Sequence, residues 1–346
     1  MRRVKFGIVG CGAVSEAHIN AVLHSPNSEL VAVSDVREEA AKAKADQYNV
    51  EAYTDVEEMF DKSGVEAIVV GTPSGTHGEI ALKAAEYGIH AIVEKPIDIN
   101  LEIIDRMIET FRRKNLKLAG VFQRRTYPVY GIVREGLRRG EFGRILLADL
   151  YMKFYRKPSY YEKGVWKGTW NMDGGGALMN QGIHGVDLIL WLIGEVEEVY
   201  GIYSHQARRI EADDTSLAVL KFRSGAMGVI EASTIVNPDR GIKIEIHGEK
   251  GTVEIDRDII VGWYLTHDPE ERAIDVQPPI SREECESIKR IKYYGHKVLI
   301  DDFARAIIED REPLIPGEEA RRAVELIRAI YKSCDERKPI KLPLKH

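Results

Sequence analysis

The first 122 residues alternate between two hydrophobic periods, and no other feature narrows the choice of fold as much. Short, unbroken apolar runs, VKFGIV (4–9), ELVAVSD (29–35), VEAIVV (65–70), IHAIVE (89–94) and LKLAGVF (116–122), read as buried strands. Between them SEAHINAVLHS, REEAAKAKADQY, GEIALKAAEYG and a stretch from about Leu101 to Lys114 carry helical spacing. Strand and helix in turn make βαβ units, and such units build a parallel sheet. An α/β fold is expected: a doubly wound, Rossmann-type domain over residues 1–122. Residues 123–346 read differently. GRILLADLYMKFY, EEVYGIYSHQ, DTSLAVLKF, GAMGVIEASTI and IKIEIHG are strand-like segments divided by short turns, and helices close the chain. A length of 346 residues exceeds one ordinary core and fits two domains.

The turn after the first strand is GCGAVS. Gly10 permits a tight turn, and Gly12 lets a pyrophosphate approach the backbone where the next helix begins, beside Ala13 and Val14. Ser15 stands where a third glycine or alanine is usual, and is small enough for close helix–strand packing. Asp35 ends the second strand, where a carboxylate accepts hydrogen bonds from ribose hydroxyls and repels a 2′-phosphate. NAD is therefore expected over NADP, although Arg37, two positions on, has the charge to meet a phosphate.

Two further signals fall at the carboxyl ends of strands, where doubly wound sheets bind ligands. One is GTPSGTH, with Thr72, Pro73 and His77; the other is EKP, with Glu94, Lys95 and Pro96. A buried ammonium is costly without a partner. Lys95 either pairs with Glu94 or caps a helix, or it sits beside a cationic ring that lowers its pKa and suits it to proton transfer. His77 alone reads more naturally as a cap or surface histidine than as a catalytic one.

A third signal is DGGGALMNQGIHGVD (173–187). On an ideal helix Met179, Ile183, Val186 and Leu190 share one stripe, facing a core. Asn180, His184 and Asp187 form a second stripe, continuing into Trp191. Such a stripe either marks the border between core and solvent or presents an amide and an imidazole to a ligand. Glycines 174–176 allow a close backbone approach.

Charge and composition exclude other classes. The net charge of −6, from 55 acidic against 49 basic residues, offers no nucleic-acid surface. No apolar run approaches the roughly 18 residues that span a bilayer. The opening MRRVKFGIVGCGAV imitates a secretory signal, but its glycines and the polar SEAHIN that follows make it a strand and turn. Cys11, Cys285 and Cys334 are widely spaced with no CxxC, so neither a disulfide framework nor a cysteine zinc site is expected, and a cytoplasmic setting is. No HExxH or similar spacing suggests a metal.

In this order the GxGxxS turn, Asp35, TPSGTH, EKP and GGGALMNQGIHGVD resemble the Gfo/Idh/MocA oxidoreductases, and the likeness runs on through EIHGEKGTVEI (245–255) to the closing LPL. The resemblance implies that residues 123–346 form an α+β domain on a large, mostly antiparallel sheet, serving substrate binding and oligomerisation. It implies that Lys95, Asn180 and His184 surround the substrate carbon facing the nicotinamide. The expected cofactor set is Gly10, Gly12, Ala13, Val14, Asp35, Thr72, Pro73, His77, Glu94 and Gln123. Asp187, one turn beyond His184, is expected to orient that histidine or its helix.

The phrase WKGTWNMDGGGALMNQGIH (166–184) is similar to UDP-N-acetylglucosaminuronate 3-dehydrogenases, with Lys167 where an arginine is expected; inositol-type enzymes commonly carry aspartate in place of Asn180. The aromatic loop FYRKPSYYEKGVW (154–166), with Arg156, Lys157 and Lys163, reads equally as a clamp for an acidic sugar, a solvated loop or a subunit contact. The activity expected is NAD-dependent oxidation of a secondary alcohol of a sugar, nucleotide-linked or acidic, with Lys95 or His184 accepting the hydroxyl proton. A polyol or aldose dehydrogenase on a free sugar is the nearest alternative. An NAD-holding glycosidase and a non-catalytic NAD-binding regulator are more distant ones; the intact Lys95, Asn180 and His184 argue against the regulator. A homodimer or homotetramer is expected, because an open sheet face needs covering.

Overall fold

In the computed structural model, which describes residues 2–162 and 166–344, the apolar runs of the N-terminal third line up in one sheet. The elements are β1 (Val4–Val9), α1 (Ser15–His24), β2 (Ser28–Ser34), α2 (Glu38–Tyr48), β3 (Glu51–Tyr53), α3 (Val56–Lys62), β4 (Ala67–Val70), α4 (His77–Glu86), β5 (His90–Val93), α5 (Leu101–Arg113) and β6 (Leu118–Gly120). All neighbours pair in parallel, in the order β3-β2-β1-β4-β5-β6. Side chains such as Phe6, Ile8, Ile68 and Ile92 are fully buried, as a sheet covered on both faces requires. The strand order reverses between β1 and β4, which opens a crevice at their carboxyl ends. Asn100 shows why α5 starts where it does: its side chain accepts hydrogen bonds from the Glu102 and Ile103 N–H groups. Two elements, β3 and α3, escaped the sequence reading because β3 is three residues long and largely exposed.

A second compact unit comprises Arg124–Lys292 and the chain from Arg322 onward. It holds α6 (Pro128–Arg138), β7 (Ile145–Lys153), α7 (Ser159–Glu162), a π-helical turn at Ala177–Gly182, and α8 (Ile183–Ile193). Six strands follow: β8 (Val196–Ser204), β9 (Thr215–Phe222), β10 (Met227–Ser233), β11 (Gly241–Gly248), β12 (Gly251–Asp256) and β13 (Ile259–Leu265). β14 (Ile274–Asp275), α9 (Arg282–Arg290) and, at the end of the chain, β15 (Ile340–Lys341) complete it. The nine-stranded sheet runs β14-β13-β12-β11-β7-β10-β9-β8-β15, with only β7 and β10 paired in parallel. The large, mostly antiparallel sheet expected from the resemblance is present.

Alternation along β9 turns Ser216, Ala218, Leu220 and Phe222 inward and Leu217 and Val219 outward. Across the ladder Ile202 faces Leu217 and Tyr200 faces Val219, so the outer face carries paired apolar rows. Val219 and Met227 there are 55% and 59% exposed.

The first unit, which runs up to Gln123, also takes in Tyr293–Arg321. Within it α10 (Tyr294–Ile308) packs on α1, with Phe303 against Phe6, and α11 (Gly317–Glu336) begins there and ends in the second unit. None of the described helices is long and apolar enough to cross a membrane.

Candidate functional site

In the first unit the predicted cofactor residues gather at the carboxyl edge of the sheet. Gly10 has φ +96°, and a Cβ there would lie 2.7 Å from the Gly71 carbonyl oxygen, so only glycine fits. Gly12 faces open space where its Cβ would project, and with Ala13 it is exposed at the start of α1. Ser15 is buried and its hydroxyl donates to the Gly12 carbonyl at 2.7 Å, which closes the turn where a third glycine is usual. Val14 packs toward Gly71. A bare helix N-terminus behind two glycines matches what a dinucleotide phosphate needs. The residues present fit the group.

The Asp35 carboxylate accepts the Cys11 N–H at 2.8 Å and the Arg37 N–H at 2.9 Å, and the Arg37 guanidinium lies against it. Burial opposes its charge, but the hydrogen bonds from Arg37 and Cys11 outweigh burial and hold the carboxyl below its ordinary value. Arg37 is thus engaged with Asp35 itself.

Thr72 and Thr76 share a hydrogen bond between hydroxyls, and Thr76 donates to the Pro73 carbonyl. His77 is buried with each ring nitrogen 2.8 Å from a carbonyl oxygen, one of Thr72 and one of Pro96. It ties the turn after β4 to the turn after β5. Glu94 is also buried, with one oxygen on His18 Nε2 and the other on the Lys95 N–H. Gln123 opens a short 3-10 turn beyond β6.

The second unit holds the other predicted residues. The regular α-helix begins only at Ile183; Ala177–Gly182 is a π-helical turn, a feature that often accompanies functional positions. The apolar stripe of Met179, Ile183, Val186 and Leu190 is buried as the spacing predicts. Glycines 175 and 176, however, admit parts of the protein itself. A Cβ on Gly176 would lie 1.9 Å from the Asp213 carbonyl oxygen, and one on Gly175 would meet the Tyr331 hydroxyl at 2.3 Å. The fully buried Asp213 carboxylate takes four donors: the Gly176 and Leu178 N–H groups and the Ser216 and Tyr331 hydroxyls.

Asn180 is buried at the centre of a polar cluster. Its Nδ2 donates to Asp173 at 2.6 Å, and its Oδ1 accepts from Gln181 at 2.5 Å and Tyr160 at 3.2 Å. Gln181 in turn accepts from the Arg156 guanidinium at 2.7 Å. The Lys167 ammonium stands 3.9 Å from the centroid of the Tyr160 ring. Burial lowers the Lys167 pKa, Asp173 opposes that shift, and Arg156 adds to it. Burial also pushes the Tyr160 phenol up to about 12, so it stays a hydrogen-bond donor. Part of the aromatic loop therefore folds onto Asn180; Lys157 is exposed, and Lys163 lies outside the described residues. Asp173, Tyr160 and Gln181 are the members that sequence reasoning missed.

His184 sits half-buried in the first turn of α8. The Asp187 carboxylate, one turn on, receives the Arg125 guanidinium in a two-point pair at 2.8 and 2.6 Å, both side chains buried. Arg125 and Arg134 also stack on Trp191. Of the proposed catalytic residues Lys95 belongs to the first unit, and Asn180 and His184 to the second.

Residues 4–122 match the family model described as the oxidoreductase family's NAD-binding Rossmann fold, and residues 134–342 match its C-terminal alpha/beta domain. Among curated proteins the chain is 26% identical to the myo-inositol 2-dehydrogenase of Thermotoga maritima, over 98% of both chains. Among solved structures it is similar to the WlbA dehydrogenase of Bordetella pertussis in complex with NADH and UDP-GlcNAcA. The identity is 34%, the TM-score is 0.92, and 99% of each chain is covered. The WlbA dehydrogenase of Chromobacterium violaceum, solved with the same pair of ligands, matches at 30% identity and a TM-score of 0.89, over 100% of this chain and 98% of that one.

Proposed function

The chain belongs to the Gfo/Idh/MocA family of NAD-dependent sugar and polyol dehydrogenases, and from that premise we propose that it oxidises a secondary alcohol of an acidic, nucleotide-linked sugar. The observation that carries this reading is the pair of cations, Arg156 and Lys167, gathered with the Tyr160 ring around Asn180. Arg156 already meets the Asp239 carboxylate at 3.3 Å, so Lys167 is the cation that favours a carboxylate or phosphate over a neutral polyol. The likeness to enzymes solved with UDP-GlcNAcA supports the same substrate class.

NAD, when bound, supplies the hydride acceptor. Gly10, Gly12, Ala13 and Val14 would hold its pyrophosphate and Asp35 its ribose, with Thr72, Pro73, His77, Glu94 and Gln123 at the same sheet edge. We assign proton transfer from the substrate hydroxyl to Lys95 and His184 and substrate positioning to Asn180, whose amide is fixed by Asp173, Gln181 and Tyr160.

The test is a panel of sugars incubated with NAD while reduced nicotinamide is followed. UDP-N-acetylglucosaminuronate is expected to exceed myo-inositol in kcat/KM by roughly ten- to a hundredfold per charged contact it alone makes. Faster turnover of the free polyol would replace this substrate class with the inositol type. Asp35→Ser should narrow the preference for NAD over NADP by about ten- to a hundredfold, the value of a hydrogen bond to a charged group. Equal affinities in the native protein would remove the ribose role from Asp35.

The outward apolar rows of the nine-stranded sheet further lead us to propose a homo-oligomer, dimer or tetramer, with that face covered by a second copy. Light scattering at micromolar concentration should give at least twice the 39.0 kDa chain mass; a monomer refutes it.

A further inference from the structure

Two histidines of the first unit, one buried and one nearly so, have no part in the chemistry assigned above, and they meet around the buried Glu94 carboxylate. Glu94 Oε1 lies 2.8 Å from Nε2 of His18, in the first turn of α1, and 3.8 Å from Nε2 of His296, in α10. Glu94 Oε2 accepts the backbone N–H of Lys95 at 3.0 Å. The two imidazoles meet edge to face, with centroids 5.0 Å apart.

A carboxylate only accepts, so His18 donates from Nε2, and its Nδ1 is the nitrogen without hydrogen. That Nδ1 is buried and has no hydrogen-bond partner among the described residues. A proton there would be a buried donor without an acceptor, so the ring stays neutral, in keeping with burial lowering its pKa. Burial also opposes the Glu94 charge, but the hydrogen bond from His18 and the nearby His296 ring outweigh it and keep the carboxyl well below its ordinary value. The cluster is thus one buried anion held by imidazoles from two helices.

We propose that His18 and His296 are positioning residues: by fixing Glu94 they tie the Lys95 N–H, and with it the Glu-Lys-Pro turn, to the helix that follows the glycine turn. The catalytic consequence rests on the reading of Lys95 as a proton-transfer residue. The clamp itself does not. Binding at the start of α1 and placement of Lys95 become one mechanical event, because His18 stands one turn from the end that would hold a pyrophosphate. Two imidazoles and a carboxylate are also a zinc-type donor set, but tetrahedral zinc needs donor atoms about 3.3 Å apart. Here Glu94 Oε1 is 2.8 Å from one imidazole nitrogen and 3.8 Å from the other, and both carboxylate oxygens already accept hydrogen bonds.

The test uses the full-length protein with NAD, reading amide hydrogen exchange residue by residue. His18→Leu should speed exchange at Lys95 by about tenfold or more while β4 keeps its protection. His18→Gln, which keeps an N–H donor near the place of Nε2, should restore most of the protection. On any sugar that the native protein oxidises, His18→Leu should lower kcat roughly ten- to a hundredfold with KM within about threefold, and His18→Gln should recover it.

Unchanged exchange at Lys95 in His18→Leu overturns the proposal. So does acceleration spread equally over β4, which makes His18 a general stabiliser, and so does acceleration at Lys95 with native kcat in a protein whose Lys95→Met variant does lose kcat. A stoichiometric divalent metal retained by the native protein and lost in His18→Leu also overturns it. If the native protein oxidises no sugar of the panel, the dehydrogenase reading fails while the exchange result still decides the clamp.

Discussion

Replacing Lys95 with methionine is expected to lower kcat by about a hundred- to ten-thousandfold while NAD affinity stays within about threefold. Methionine keeps most of the volume and deletes the charge, so the loss isolates the ammonium. The residue follows β5 at the carboxyl edge of the parallel sheet, the edge where doubly wound sheets hold ligands. Its backbone is fixed independently of its side chain, through Glu94 on its own N–H and through His77 on the Pro96 carbonyl. The substitution should therefore leave the turn in place. A positioned acid or base acts in the transition state, so kcat and kcat/KM should fall together, by roughly 3–5 kcal/mol of barrier. Fluorescence titration with NADH and steady-state rates on the best sugar of the panel check both halves. His184→Asn should give a smaller loss of the same kind. Native turnover by Lys95→Met would take the proton-transfer role away from it.

The N-terminal half was legible because its signals are local. A buried strand declares itself in four to six consecutive residues, and Gly10 occupies a position that only glycine can, next to the strand it terminates. The second half hid its essentials in long-range pairs. The carboxylate that builds the glycine-rich turn is Asp213, 37 residues beyond Gly176, and its fourth donor, Tyr331, comes 118 residues later still. No periodicity announces such a partner. The helical spacing through Met179, Ile183, Val186 and Leu190 predicts their burial, but it carries no sign of the π-helical turn at Ala177–Gly182, and the regular α-helix starts only at Ile183. The same limit kept His18 and Glu94 apart in the reading of the sequence: 76 residues separate two groups 2.8 Å apart. Asp173 and Lys167 stood inside quoted motifs, but only folding shows that they surround Asn180.

Breaking the Arg125–Asp187 pair should destabilise the second unit by about 3–5 kcal/mol, the usual result of leaving one buried charge without its partner. The two side chains are 4% and 1% exposed, and the guanidinium meets the carboxylate through two parallel hydrogen bonds. Asp187→Leu takes the two-point carboxylate from the arginine; Arg125→Met takes the guanidinium from the aspartate. Removing both at once replaces an ion pair with apolar groups of similar size, and that exchange is often close to neutral. The double variant should accordingly be more stable than either single one, and the coupling between the two changes is the quantity of interest. Because Trp166, Trp170, Trp191 and Trp263 all lie in the second unit, tryptophan fluorescence follows its unfolding alone. Trp191 is stacked by Arg125 itself. With an m-value near 3 kcal/mol per molar urea, each single change should lower the midpoint by roughly 1–2 M. Asp187 also lies one turn beyond His184 in α8, so the single variants should lose activity under conditions where the native protein is folded. Two single changes that each shift the midpoint by less than a few tenths of a molar, and a double change that equals their sum, would mean that this pair is not what holds α8 in place.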